Sequence, residues 1–269
     1  MVDCGEGTQI QIRRSKLHFS KIQAVFISHL HGDHCFGLLG MISTFGMTGR
    51  TNPLHIYAPS MFEEYFNESV NLFCNNLDYE VVFHPIQTNK NKIVYEDRSL
   101  TIETIPLSHR IQCCGFLFRE EKLDIIEHEY KIPISQINNI KAGASWTTDE
   151  GEVIPNEKLT FPAEKPRSYA YCSDTRYMPN LHEMISGVTV LYHESTYAND
   201  SKERAKLYYH STSQEAAKVA KDAKVRKLLL GHYSSRYPTE EILLDEAKSI
   251  FPNSYLTNEG MIIKVSNDD

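Results

Sequence analysis

The chain of 269 residues lacks any apolar run near the ~20 residues that a membrane-spanning helix needs. Its first stretch, MVDCGEGTQIQIRR, lacks the apolar core of a secretory signal. Cysteine is sparse and never paired as C-x-x-C: Cys4, Cys35, Cys74, Cys113, Cys114 and Cys172 are scattered, which argues against a thiolate zinc site. A chain this long buries a core without disulfide staples, so reduced thiols in a cytoplasmic protein are expected. Positive charge is not in excess. Lys and Arg number 28 against 35 Asp and Glu, a net charge of -7. That balance argues against a general nucleic-acid coat, whose affinity would come from broad phosphate neutralisation, and leaves room for a local basic patch or for bound cations in a cleft. Internal repeats and low-complexity tracts are also absent.

Apolar runs alternating with helical patterns fill the chain. Residues 22–28 (IQAVFIS) read as a buried strand, 35–46 as a helix, 53–59 as a strand and 61–73 as a helix. Residues 79–86, 91–96 and 100–109 follow as three strands without a helix between them, which predicts a meander. Strands are then expected in 167–175, 187–196 and 225–232, with a helix over 211–223 opened by a Thr212/Glu215 capping box. Two short strands, NSYLT and GMIIKV, are expected at the end. The order predicts an α/β protein with mixed sheets in one domain spanning 1–269.

The densest chemistry lies in SHLHGDHCFG. His29, His31, Asp33 and His34 follow a strand and precede a helix. Side chains two apart in extended chain point the same way, so His29 and His31 can face one ion. Asp33 and His34, at the helix mouth, can face a second. Imidazole and carboxylate together suit zinc, iron or manganese better than calcium. One such histidine would ordinarily be a core or surface residue. Four ligand residues in six positions make that reading poor. His109, Asp174 and His232 recur at other strand ends, and an aspartate between two ions can give one oxygen to each.

These motifs resemble the metallo-β-lactamase superfamily through H-x-H-x-D-H. They resemble its ribonuclease Z family of tRNA 3′-processing endonucleases through DCGEGTQIQ, HESTY (193–197), HSTSQEAAKVAKDA (210–223) and GHYSSRY (231–237). The resemblance runs from the first residues to FPNS near the end. It implies a four-layer αββα sandwich. It implies two Zn2+ per chain, with Mn2+ or another divalent metal as the substitute. His29, His31 and His109 would hold one ion, Asp33, His34 and His232 the other, with Asp174 bridging. Asp33 would also orient the attacking water. His210, held by Glu194, would protonate the leaving ribose 3′-oxygen. Precursor tRNA would be the partner, and the chain a homodimer. Arg236 is a candidate phosphate contact, since guanidinium pairs bidentately with phosphate.

Two departures from the family stand out. Its members carry further residues ahead of DCGEGTQ, so the first strands are expected to be missing and one sheet edge unpaired. The polar excursion 119–144 sits where the family has its tRNA-gripping arm. It sets Arg119, Lys122, Lys131 and Lys141 against Glu120, Glu121, Asp124, Glu127 and Glu129, which is not a basic patch. Two alternatives stay open: another hydrolase on the same scaffold, acting on a small phosphodiester, thioester or aryl ester, and an inactive RNA-binding relative.

Overall fold

The computed structural model describes residues 1–97, 99–120, 125–126, 130–141, 143–161 and 166–267. Lys122, Glu121, Asp124, Glu127 and Glu129, named above for their charges, lie outside the described residues.

Helix α1 (Thr8–Arg14) precedes strand β1 (Ala24–Phe26), the short helix α2 (Gly32–Cys35) and helix α3 (Leu38–Met47). Then come β2 (Leu54–Pro59), α4 (Glu63–Phe73) and β3 (Val81–Ile86). These three strands form a parallel sheet in the order β1-β2-β3. Strands β4 (Ile93–Glu96), β5 (Leu100–Pro106) and β6 (Cys114–Glu120) pair antiparallel in a second sheet. The predicted three-strand meander therefore needs correction. Its first member, β3, belongs to the other sheet, because α4 supplies the crossover that lets β3 lie parallel to β2.

After β6 come the short elements β7 (Ile125–Ile126), α5 (Ile134–Lys141), β8 (Trp146–Thr147), β9 (Val153–Ile154), α6 (Asn156–Leu159) and β10 (Thr160–Phe161). Strand β10 pairs back onto β7, so the excursion continues past Ala144. It folds around its own small cluster of Ile140, Ile154 and Leu159, with Tyr130, Ile132 and Trp146 against it.

Strand β11 (Ser168–Cys172) then pairs with β6 and rejoins the second sheet. Helix α7 (Leu181–Met184), strand β12 (Val190–Glu194), α8 (Lys202–Tyr208), α9 (Ser213–Asp222), β13 (Lys227–Gly231), α10 (Glu241–Lys248) and β14 (Ser254–Leu256) complete the order. The larger sheet runs β14-β13-β12-β11-β6-β5-β4, parallel from β14 to β11. The capping box at the start of α9 is formed in both directions, Thr212 with the Glu215 amide and Glu215 with the Thr212 amide.

Three apolar clusters make the layers. One joins α1, α3 and α4 to the outer face of the small sheet through Phe45, Ile56 and Phe66. One fills the space between sheets with Phe26, Tyr57, Ile102 and Phe116. One packs α7, α9 and α10 on the large sheet through Leu181, Ala217, Leu228 and Ala247. This is the αββα sandwich. Residues 260–265 form no strand, contrary to expectation. Met261, Ile263 and Val265 instead lie beside Tyr169, Tyr192 and Leu229 and share a cavity with them. Their apolar side chains cover that sheet rather than adding to its edge. At the edge of β1, residues 1–3 make a partial pairing: Val2 bridges to Phe26, whose amide donates to the Met1 carbonyl at 2.9 Å.

Candidate metal centre

Strands β1, β5, β11, β12 and β13 end on one rim of the sandwich. Their C-terminal ends are followed by His29, His109, Asp174, Glu194 (the last residue of β12) and His232. Crevices beyond strand C-termini are the usual place for ligands in open α/β sheets.

The structure gathers the seven expected ligands at this rim. His29, His31, His109 and Asp174 each offer an atom within 4.8 Å of the others, and so do Asp33, His34 and His232. His31 Nδ1 lies 3.0 Å from His29 Nε2 and 3.3 Å from His109 Nε2. The Asp174 carboxylate stands between the groups. Its Oδ2 is 3.8 Å from both His29 Nε2 and His109 Nε2. Its Oδ1 is 3.3 Å from His232 Nε2 and 3.6 Å from His34 Nε2. Asp33 Oδ2 lies 3.5 Å from His34 Nε2, and its side chain is the open one of the set, 67% exposed.

Whether these residues suit a cation can be read from their hydrogen bonds. Asp174 Oδ1 is buried without a hydrogen-bond partner among the described residues, and a bare carboxylate oxygen in that position calls for positive charge. Four imidazoles are held so that Nε2 points inward. His109 Nδ1 donates to the Tyr209 carbonyl at 2.9 Å. His34 Nδ1 donates to Asp3 Oδ2 at 2.8 Å. The Ser28 hydroxyl donates to Asp3, so it accepts from His29 Nδ1 at 3.0 Å. Thr196 Oγ1 donates to Glu194 Oε2 at 2.7 Å, so it accepts from His232 Nδ1 at 2.8 Å. Each arrangement leaves an Nε2 lone pair free, and second partners of this kind orient metal-binding histidines generally. The residues therefore fit divalent metal ions.

Charge follows the same plan. Burial, then the neighbouring His34 and His31, drives His29 down to about 2, so it is a neutral imidazole. Burial likewise lowers His109. Burial, the largest influence, would lower His34, but the bond to Asp3 and the charges of Asp3, Asp174 and Asp33 together hold it above the usual value.

Beside the ligands, His210 Nδ1 lies 2.8 Å from Glu194 Oε1. Glu194 is fully buried and also accepts from the Thr175 amide at 3.0 Å and the Thr196 amide at 3.1 Å. Burial pushes the Glu194 carboxyl up, yet His210, His232 and the Thr175 amide together hold it below the usual range. Burial pulls His210 down, and Glu194 more than restores it, to above the ordinary histidine value. His210 is also within 4.8 Å of Asp174 and His232. Its Nδ1 is committed to Glu194, which leaves Nε2 to act. Arg236 is exposed and not among these groups. Its backbone amide donates to Ser234 Oγ at 3.4 Å, and its guanidinium has no carboxylate partner among the described residues.

Asp3, Tyr209 and Thr196 hold the ligands and were not singled out from the sequence. One signal exists only in the backbone: Asp3, Tyr209 and His232 all have left-handed φ, of 53°, 58° and 59°. Such strain in non-glycine residues collects at functional sites.

Residues 1–139 match the family model described as anti-Pycsar protein Apyc1. That match ends before Asp174, Glu194, His210 and His232. Full-length similarity covers them all. Ribonuclease Z of Bacteroides fragilis (strain YCH46) is 51% identical over 98% of this chain and 89% of its own length. Ribonuclease Z of Bacteroides thetaiotaomicron is 50% identical over 99% of this chain and 86% of its own length. Among solved structures, human tRNase Z, short form, superposes with a TM-score of 0.70 at 24% identity, over 98% of this chain and 87% of that one. The metallo-β-lactamase fold protein YhfI from Bacillus subtilis gives 0.67 at 18%, over 98% and 86%. At those identities the two structures speak for the fold, and the sequence relatives for the family. The chain has the metallo-β-lactamase fold and belongs to the ribonuclease Z family.

Proposed function

We propose that this protein is a zinc-dependent endoribonuclease that removes the 3′ trailer from precursor tRNA, leaving a 3′-hydroxyl on the tRNA and a 5′-phosphate on the trailer. The observation that carries this reading is the Asp174 carboxylate. It turns one oxygen to His29 and His109 and the other to His34 and His232, in a chain half identical to proteins named ribonuclease Z.

In this reading His29, His31 and His109 would hold one ion, Asp33, His34 and His232 would hold the other, and Asp174 would serve both. When bound, zinc or manganese supplies Lewis acidity at a phosphodiester and lowers the pKa of water. The protein's own groups supply the rest. Asp33, at the open side, accepts a hydrogen bond from the attacking water and fixes its direction. His210 Nε2 donates a proton to the departing ribose 3′-oxygen. Glu194 keeps the His210 ring in the tautomer and position for that transfer, as a buried carboxylate behind a histidine does.

The six cysteines are all free, in keeping with a cytoplasmic setting, and no described helix is long and apolar enough to cross a membrane. Exposed Met47, Leu72 and Phe73 on α3 and α4 support self-association into a homodimer.

Cleavage of a tRNA bearing a 3′ trailer, mapped to the nucleotide, tests the reading alongside metal analysis. The expected result is a single cut at the start of the trailer, dependent on two bound divalent ions. Hydrolysis of a small aryl phosphodiester without cleavage of precursor tRNA would point to another hydrolase on this scaffold. No bound metal and no hydrolysis after adding zinc or manganese would point to an inactive relative.

A further inference from the structure

A cavity of about 550 Å³ opens beside His210, which forms part of its wall. The loop after Asp174 supplies one side, with Tyr177, Met178 and Pro179 as an apolar surface and Arg176 at the margin. Helix α8 supplies Lys202 and Lys206, one turn apart on the same face. The volume falls within the roughly 300–1,000 Å³ of pockets that enclose small organic groups.

The cations here differ in how they are engaged. Lys202 Nζ is 3.7 Å from Glu215. Lys206 and Arg176 are exposed and have no carboxylate partner among the described residues. The Arg176 guanidinium rests 5.1 Å from the centre of the Tyr209 ring, the residue whose carbonyl holds His109. Two cations without a carboxylate partner among the described residues, beside an apolar wall that Glu203 also borders, match a nucleotide, which brings an anionic phosphate joined to a flat aromatic base.

Position relative to His210 decides which nucleotide. His210 Nδ1 is taken by Glu194, so Nε2 serves the leaving oxygen. In the proposed function, on which this inference rests, that oxygen is the 3′-oxygen of the last nucleotide the tRNA keeps. The ribose carrying it must lie against His210, and the cavity continues from there. We propose that the cavity seats the last retained nucleotide of the tRNA, with Lys206 and Arg176 gripping the phosphate on its 5′ side. The trailer then leaves on the other side of the metal ligands.

The test uses the metal-loaded enzyme and precursor tRNA. Lys206→Ala and Arg176→Ala should each raise KM by roughly 5–10-fold and lessen the salt dependence of binding by about one unit of log–log slope. Lys206→Arg should restore most of the loss. A single neutral methylphosphonate at the phosphate on the 5′ side of the last retained nucleotide should cost the wild type a similar factor. On that modified substrate, Lys206→Ala should lose nothing further. Circular-dichroism melting of each variant checks that folding is intact. If wild type cleaves precursor tRNA normally and neither variant changes KM or salt slope, the subsite is wrong while the proposed function stands. The subsite is also wrong if the variants' loss persists in full on the modified substrate. If wild type with its metal fails to cut precursor tRNA at all, the proposed function falls and this subsite with it.

Discussion

At the scale of single residues, the seven gathered ligands were legible because each follows a strand, where chain direction alone brings side chains to one rim. What holds them was not legible. The partners of His109, His232 and His34 are the Tyr209 carbonyl, Thr196 and Asp3, which stand 100, 36 and 31 positions away and carry no periodic signal. Asp3 is the most connected of them. Its carboxylate accepts from the Ser28 amide at 2.7 Å, the Ser28 hydroxyl at 2.9 Å, His34 at 2.8 Å and the Tyr171 hydroxyl at 3.0 Å. Asp3→Ala should therefore weaken metal binding by about 10–100-fold, the usual cost of losing an orienting partner. Competition with a chromophoric chelator measures it, and unchanged affinity would remove Asp3 from the site. His210→Ala makes a contrasting case. Glu194 would keep its bonds from Thr175 and Thr196, so metal content should be unchanged. The chemical step should slow by roughly 10²–10⁴-fold, the range for losing a general acid. Single-turnover rates near wild type would show that the proton comes from elsewhere.

At the scale of elements, the stretch DCGEG owes its form to close backbone contact. A Cβ on Gly37 would stand 1.9 Å from the Gly5 carbonyl oxygen, and one on Gly5 would stand 2.1 Å from the Asp33 carbonyl oxygen. Two glycines thus let the N-terminal loop lie on α2, which carries Asp33 and His34, and bring Asp3 to His34. Gly37→Ala should lower stability by about 1–3 kcal/mol or more, because backbone stands in the way and cannot turn aside as a side chain can. It should weaken metal binding as well. Gly40→Ala, on α3, is the control. There the new Cβ meets only the end of the Gln9 side chain at 3.1 Å, and helix propensity favours alanine by up to about 1 kcal/mol. Thermal melting of the pair checks the argument, and equal loss in both would defeat it. Sequence patterns found most elements here because periodicity reports burial. They misplaced β3 and residues 260–265 because periodicity does not say which sheet, or which face, an apolar run will cover.

At the scale of the molecule, the excursion after β6 is attached by a narrow neck. The Glu120 amide donates to the Arg167 carbonyl at 3.0 Å, and Arg167 Nε donates to Glu120 Oε2 at 2.8 Å. Next to that pair, Arg119 and Ser168 stand opposite each other on β6 and β11. The chain thus leaves and returns at one point, as a hairpin does. The apolar cluster of Ile140, Ile154 and Leu159 is separate from the three that build the sandwich. Replacing 121–166 with a short glycine-serine turn should therefore close onto β6 and β11 and leave the sandwich standing. Ligand positions depend on strand ends at the opposite side of the neck's pairing, because β6 leaves the rim before reaching Glu120 and β11 returns to it after Ser168. Metal content and hydrolysis of a small aryl phosphodiester should persist. Cleavage of precursor tRNA should fall mainly through a higher KM, since loops carry binding contacts and this one folds on an apolar cluster separate from those of the sandwich. Its described charges are mixed in sign, with Lys131, Lys141 and Lys158 against Asp149, Glu150, Glu152 and Glu157. Its contacts to RNA should accordingly be local, and added salt should weaken precursor-tRNA binding with the same slope in the shortened protein as in the intact one. An unchanged KM would place tRNA selection wholly on the sandwich. A smaller slope would mean that the segment grips phosphates after all.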